Sequence, residues 1–223
     1  MLKDHWPLLG LRLTTPRLEL RLPGEGELAA LAELAAEGIH PPEEMPFLFP
    51  WTDLPPAARA RSVVQHHWLR RGDWTPENWS LALAVFFEGR PVGFQDFAAR
   101  DFGTLRRTSS GSWLGRRHQG QGIGTEMRTA MLHLAFEGLG AAEAVSGALE
   151  HNAASLAVSR KLGYERDGVE RVVIRGRATT EIRLRLPRAR WEAAADRAAA
   201  DRAPVTVTGL EPCLPLFGAV RVA

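Results

Sequence analysis

Charged and leucine side chains alternate through Arg17-Leu18-Glu19-Leu20-Arg21-Leu22. A period of two places the leucines on one face, so this segment reads as a half-buried strand, ended by Pro23-Gly24. From Glu27 the period lengthens. Leu28, Leu31 and Leu34-Ala35 fall on one side of a helix that Gly38 stops. Between Pro41 and Trp51 prolines forbid a regular helix while Met45, Phe47, Leu48 and Phe49 accumulate, which predicts an ordered loop packed on the body. A second helix is expected from Pro56 to about Arg71. An apolar strand at Trp79–Phe86, a turn at Glu88-Gly89-Arg90-Pro91 and a hairpin partner at Val92–Phe97 follow.

Beyond a basic, irregular connection, Ser110–Gly115 reads as a third long strand. The helix that follows directly carries its apolar stripe at Ile123, Met127, Ala130-Met131 and Leu134. Glu143–Glu150 reads as a buried strand and Ala153–Leu162 as a short helix ended by Gly163-Tyr164. Two more strands fall within Tyr164–Ile174 and Thr179–Leu186. Arg190–Arg202 is alanine-rich and helix-prone. The tail Val205–Ala223 alternates and ends apolar at Pro215-Leu216-Phe217, which predicts a strand docked on the same body or on a second subunit. This order argues for a mixed α/β domain rather than a doubly wound parallel sheet.

Composition narrows the class. With 223 residues, 45% hydrophobic and 24% charged, the chain fits one generous soluble domain. Its single cysteine, Cys213, allows no internal disulfide, and neither CxxC nor HExxH spacing occurs, so a metal-free fold in a reducing compartment is expected. The stretch Met1–Pro7 lacks the apolar core of a signal peptide, and no apolar run approaches the ~18 residues of a membrane span. A cytoplasmic protein with no membrane partner is the expectation. A net charge of +2 is too weak to argue for nucleic acid, and aromatic residues do not interleave with basic ones on a strand. Local pairs at Arg70-Arg71, Arg106-Arg107 and Arg116-Arg117 lie near predicted element ends, where phosphates could meet them.

The most informative stretch is Trp113–Glu126, in which Gly120, Gly122 and Gly124 stand between a predicted strand and an amphipathic helix. Glycines there let the backbone turn tightly and leave helix-start N–H groups open to an anion, for which a pyrophosphate is a natural guest. The dinucleotide fingerprint fails because Thr125 stands where its third glycine is needed. The Walker pattern fails as well, since Gln121-Gly122 replaces its Lys-Ser/Thr pair. What fits is Gln119-x-x-Gly122-x-Gly124, and one strand later Asn152-Ala153-Ala154-Ser155, closing on Lys161-Leu162-Gly163-Tyr164. Together these segments resemble the two signature elements of the GNAT N-acyltransferases.

The resemblance covers roughly Leu11–Leu186. It implies a mixed, mostly antiparallel twisted sheet with flanking helices over residues 11–187, and a C-terminal helix and tail extension over 188–223. It also implies an acyl-coenzyme A donor, acetyl-CoA or succinyl-CoA, held by Leu114, Arg117, Gln119, Gly120, Gln121, Gly122, Ile123, Gly124 and Thr125. Asn152 and Ser155 would meet the pantetheine arm or the departing sulfur, and both are the catalytic candidates. Asn152 has a competing role as a helix cap. Many members carry a tyrosine, the acid that protonates the thiolate, where this chain has Ser159. Its absence shifts the resemblance toward the ribosomal-protein N-terminal acetyltransferase branch, in which a serine matching Ser155 is the implied acid. Further motifs, His5-Trp6-Pro7-Leu8, Met45-Pro46-Phe47, Pro50-Trp51-Thr52, Asp73-Trp74, Trp79-Ser80-Leu81, Ser110–Gly115 and Pro215–Gly218, are similar to an actinobacterial GNAT group that includes a succinyltransferase.

No carboxylate lies in Ser109–Gly115, which leaves Asp96, Glu150, His151 or a water chain as the base. A dedicated base contributes roughly 10²–10⁴-fold, so positioning carries much of the rate. The acceptor is an amine, on a small molecule or at a protein N-terminus or lysine, and Phe47, Phe49, Trp51, Trp79 and Trp113 are candidates to wall its pocket. A second function class, a degenerate fold that binds coenzyme A without turnover, shares the same motifs. The apolar tail beyond the family's common core makes a homo-oligomer the expectation.

Overall fold

Alternation and apolar runs become strands as their residues require. The strands are β1 (Arg12–Thr14), β2 (Leu18–Arg21), β3 (Asn78–Phe87), β4 (Arg90–Arg100), β5 (Arg107–Leu114), β6 (Glu143–Leu149), β7 (Glu165–Ile174), β8 (Arg177–Pro187) and β9 (Thr206–Thr208). The helices are α1 (Leu2–His5), α2 (Glu25–Ala36), α3 (Pro56–Gly72), α4 (Phe102–Leu105), α5 (Ile123–His133), α6 (Ala153–Lys161) and α7 (Arg188–Arg197). A π turn over Leu134–Gly138 continues α5. The computed structural model describes residues 1–197 and 203–219. Among these residues all strands share one sheet in the order β7-β8-β6-β5-β4-β3-β2-β1-β9. Every pairing is antiparallel except that of β5 with β6. The mixed, mostly antiparallel sheet with flanking helices is the architecture observed.

Two apolar layers sandwich the sheet. Alternate residues of β3 go to opposite sides, Leu81, Leu83 and Val85 toward α5 and Ala82, Ala84 and Phe86 toward α2 and α3. Both faces are covered, which is why β3 reads as a continuous apolar run. On one side Ile123, Met127, Ala130 and Met131 of α5 complete the core, and on the other Leu28, Leu31, Leu34 and Val63 do. At Gly115 a Cβ would sit 2.6 Å from Leu34 Cδ1, so glycine is what lets the chain leave β5 directly beneath α2.

The feature that makes a site is where pairing stops. β5 and β6 pair only at Arg107↔Glu143, Thr108↔Ala144 and Ser109↔Val145. Beyond that point β5 stays on β4 as far as Gly93↔Leu114, while β6 follows β8 to Leu149↔Glu181. The two parallel strands therefore splay, and Ser110–Leu114 faces Ser146–Leu149 across an open wedge.

The C-terminal residues pack on their own domain. β9 adds to β1 at the sheet edge, and a 3-10 segment, Glu211–Phe217, inserts Cys213 and Phe217 into the core. The indole N–H groups of Trp74 and Trp79 donate to the carbonyls of Leu216 and Phe217, at 2.8 and 3.1 Å. The apolar tail is thus accounted for within one chain. The alanine-rich helix begins at Arg188, two residues before the periodicity placed it, and residues 198–202 of that expected helix lie outside the described residues, as do 220–223 of the tail.

Candidate functional site

The wedge opens into a cleft of about 1140 Å³ that runs from the α5 N-terminus, past α6, to a chamber between β4, α3 and the 41–51 loop. This exceeds the roughly 300–1,000 Å³ of pockets for drug-sized ligands and suits a long cosubstrate beside an acceptor.

At one end stands the glycine cradle. Gly120 and Gly122 have φ of 73° and 80°, in the left-handed region that favours glycine. Gly122 ends the approach, and its carbonyl accepts from the N–H groups of Thr125 and Glu126, both at 3.1 Å. The N–H groups ahead of these, at the positive end of the helix dipole, have no helical acceptor. Arg17 braces the cradle from β2's approach: its Nε donates to Glu126 Oε2 at 2.7 Å and its Nη1 to the Gln121 carbonyl at 3.1 Å. Gln119 is a brace too, since its Nε2 donates to the carbonyls of Leu114 (2.9 Å) and Ile39 (2.7 Å).

Of the residues expected to hold the cosubstrate, Leu114, Gln119, Gly120, Gly122, Gly124, Thr125, Asn152 and Ser155 line this one cleft. Arg117, Gln121 and Ile123 do not. The Arg117 guanidinium pairs with Glu37 at 2.9 Å, Gln121 Nε2 returns to the Arg117 carbonyl at 2.7 Å, and the Ile123 side chain is wholly buried in the core. Among the arginine pairs only Arg70 reaches the cleft; Arg71 donates to the Pro23 carbonyl, Arg106 to Leu139, and Arg107 pairs with Glu143.

Beside the wedge, Asn152 caps α6: its Oδ1 accepts from the Ser155 N–H at 3.0 Å and its Nδ2 donates to the Pro46 carbonyl at 3.3 Å. Both ends of the amide are thereby engaged with protein. The Ser155 hydroxyl lines the cleft and makes no hydrogen bond with a described residue. Ser159 is buried, and its Oγ accepts from Arg128 Nη1 at 2.9 Å.

Of the candidate bases, Asp96 alone lines the cleft. Desolvation raises its carboxyl above the usual range, against the hydrogen bond from Ser80 Oγ (2.5 Å) and the nearby His66 and Arg70. Glu150 is exposed outside it, and His151 Nε2–H donates to the Met45 carbonyl at 2.9 Å. Phe47, Phe49, Trp51 and Trp113 do wall the chamber, in a chain of ring contacts from His40 through Phe47 and Trp51 to Trp113. Trp79 does not; it packs on Phe97, Phe102 and Phe217 in the core.

Sequence reading missed His66, Arg128, Glu181 and Arg17. The first had a signal: Ser62, His66 and Arg70 follow one another at i, i+4, i+8, and all line the chamber as one polar stripe of α3.

The sequence matches the acetyltransferase (GNAT) domain over residues 17–165, and the chain belongs to that family. In fold it is similar to Mycobacterium smegmatis RimJ, solved in complex with CoA-disulfide, at 19% identity over 88% of this chain and 97% of that one, with a TM-score of 0.69. It is also similar to RimL, the ribosomal L7/L12 alpha-N-protein acetyltransferase solved with coenzyme A (20% identity, 78% and 95% covered, TM-score 0.61). A third such structure is the ribosomal-protein-S5-alanine acetyltransferase from Vibrio fischeri (15% identity, 81% and 98% covered, TM-score 0.62).

Proposed function

We propose that the chain moves an acyl group from a coenzyme A thioester directly to a primary amine, with a protein N-terminus as the acceptor class. One observation carries this: the glycine cradle, the unpaired edges of β5 and β6, the free Ser155 hydroxyl and Asp96 all open onto one continuous cleft. Gly120, Gly122, Gly124 and Thr125 would hold the pyrophosphate, and the edges Ser110–Leu114 and Ser146–Leu149 would flank the pantetheine arm with backbone groups left unpaired between them. The cosubstrate supplies an activated carbonyl.

The residues of this chain then handle protons and position. Asp96 takes the proton that the amine loses as its nitrogen bonds to the thioester carbon. Ser155 gives the proton taken up by sulfur as the carbon–sulfur bond breaks, and recovers one from solvent. Asn152 positions Ser155 through the α6 cap and ties that helix to the 41–51 loop. The similarity of the fold to ribosomal-protein N-terminal acetyltransferases supports a peptide acceptor, and the chamber's aromatic rim, where Phe49 is 79% exposed, offers apolar surface to receive one.

The test is thiol release from acetyl-CoA in the presence of peptides with free N-termini, with the peptide's mass gain of one acyl group as the second readout. Ser155→Ala should lower turnover roughly 10²-fold, as loss of one donor aimed at developing charge does, while donor affinity stays within about twofold. Full turnover in that variant would move the acid to water. Tight binding of coenzyme A without thiol release to any amine would favour a binding protein instead.

A further inference from the structure

Arg128 lies in the second turn of α5, 5% exposed, beside an otherwise apolar stripe. Its Nη1 donates to Ser159 Oγ at 2.9 Å, Nη2 makes a long 3.5 Å contact with Ser112 Oγ, and Nε is buried with no partner. Both acceptors are neutral hydroxyls, and no Asp or Glu among the described residues pairs with this cation. The nearby phenol of Tyr164 supplies no anion either, because burial pushes its pKa up to about 12. Burying a charge costs heavily unless a counter-charge meets it. A buried guanidinium that lines a cleft is therefore a place prepared for negative charge.

The contents of the cleft identify that charge. The phosphates of the cosubstrate belong at Gly120, Gly122, Gly124 and Thr125, and Arg128 stands one helical turn past Gly124, about 6 Å further along α5. Between its phosphates and its sulfur, coenzyme A carries only a hydroxyl and two neutral amides. An anion inside the wedge has to be made by the reaction itself. Across from α5, Ser155 and Ser159 stand at i and i+4 of α6, so the hydroxyl that holds Arg128 and the one assigned to sulfur share a helix face.

We infer that Arg128 is a catalytic residue, whose guanidinium meets the negative charge that gathers on sulfur as the carbon–sulfur bond of the thioester breaks. The inference rests on the acyltransferase reading and adds a residue to it. Attack of the amine nitrogen on the thioester carbon gives a tetrahedral intermediate, and the amine's proton passes to Asp96. On collapse the electron pair of the carbon–sulfur bond goes to sulfur, facing the guanidinium. Ser155 then gives sulfur its proton and recovers one from solvent. Ser112 and Ser159 hold the guanidinium still and leave its charge uncompensated, so the cation is in place before the charge develops.

The experiment titrates the thiol of bound coenzyme A, followed by the ultraviolet absorbance of its thiolate, in wild type and Arg128→Met, alongside steady-state turnover of acetyl-CoA. A neighbouring guanidinium favours thiolate, so in wild type the bound thiol should titrate about one pH unit or more below free coenzyme A, a roughly 10-fold gain in thiolate. In Arg128→Met only burial is left, and the thiol should titrate at or above its free value. There kcat should fall roughly 10²–10³-fold with little change in KM. Arg128→Lys, which keeps a cation, should restore part of the shift; an arginine of merely structural use would leave the thiol unmoved in all three proteins. An unshifted thiol in the wild-type complex overturns the inference, whether or not the variants fold. So does a lowered thiol that persists in Arg128→Met. A fall in kcat with an unshifted thiol assigns the guanidinium to the carbonyl oxygen instead. If wild type binds no coenzyme A, the acyltransferase reading falls and the inference with it.

Discussion

Asp96 and His67 both line the chamber and respond to desolvation in opposite senses. Burial raises the carboxyl of Asp96 and lowers the imidazole of His67, the latter to about 3. For Asp96 the consequence is kinetic. A base whose pKa is raised is still protonated where an ordinary aspartate has ionised, so kcat should climb with pH through a limb above the usual carboxylate range. Asp96→Asn should remove that limb and lower kcat by about 10²–10⁴-fold, with coenzyme A affinity unchanged; an unaltered pH–rate profile would discard Asp96 as the base. For His67 the consequence is stability. Its ring is 1% exposed and neither nitrogen has a partner, although Phe94 and His66 pack against it at 5.3 and 6.3 Å. A folded pKa near 3 against 6.5 unfolded means that below pH 6.5 the unfolded chain binds a proton the folded chain does not. Stability present above 6.5 is lost toward pH 3, at up to about 1.4 kcal/mol per pH unit. His67→Leu should flatten the fall in unfolding free energy measured between pH 7 and 5, and an identical slope in both proteins would show that other groups carry it.

At the scale of elements, the cradle and its helix were the most legible part of the chain, because their reasons are local. Glycine spacing predicts a left-handed turn at a helix start, and Gly120 and Gly122 take that conformation. An alanine at Gly122 would hold the left-handed backbone at a cost of about 1–2 kcal/mol and bring its Cβ to 3.4 Å from Arg17 Nη2, disturbing the pair with Glu126. Gly124 differs: its Cβ would meet Leu114 and Val158 only at 3.8 and 3.9 Å, and φ there is helical. Gly122→Ala should therefore weaken coenzyme A binding and lower the unfolding temperature. Gly124→Ala should leave the temperature nearly unchanged, and equal destabilisation of both would refute the turn argument. The splaying of β5 from β6 was not legible in the residue pattern, since it depends on register between strands far apart in sequence. Arg128 was hidden for a related reason. An arginine beside an amphipathic stripe looks like the stripe's solvated border, and only the placement of α6 across it, with Ser159 small enough to admit the guanidinium, turns that border inward. Asn152 offered two roles in sequence, and its bonds to Ser155 and Pro46 show the capping role realised.

For the whole molecule, the scattered tryptophan motifs have a common destination. Trp6 packs edge-on to Trp74, Trp74 stacks on Trp79 at 5.8 Å, and Phe217 closes on Trp79 at 4.9 Å, so the N-terminus, the end of α3, β3 and the tail meet in one aromatic cluster. Apolarity in the tail was plain from sequence; which surface covers it was not, because periodicity reports that a face is buried and not against what. The cluster also reaches toward the site, since Ser80, next along β3 from Trp79, donates to Asp96 from the other face of the strand. If tail and core form one cooperative unit, Phe217→Ala should cost about 3–5 kcal/mol, the range for emptying a fully buried aromatic site, within a single unfolding transition. A chain ending at Arg202 loses β9, both tryptophan hydrogen bonds and the Cys213–Phe217 plug, and should unfold at a markedly lower temperature, with altered near-ultraviolet circular dichroism from the freed indoles. The decisive comparison is between those two proteins and wild type in denaturant. A truncated chain as stable as wild type, with its indole spectrum intact, would make the tail an appendage and remove any path from it to Ser80 and Asp96.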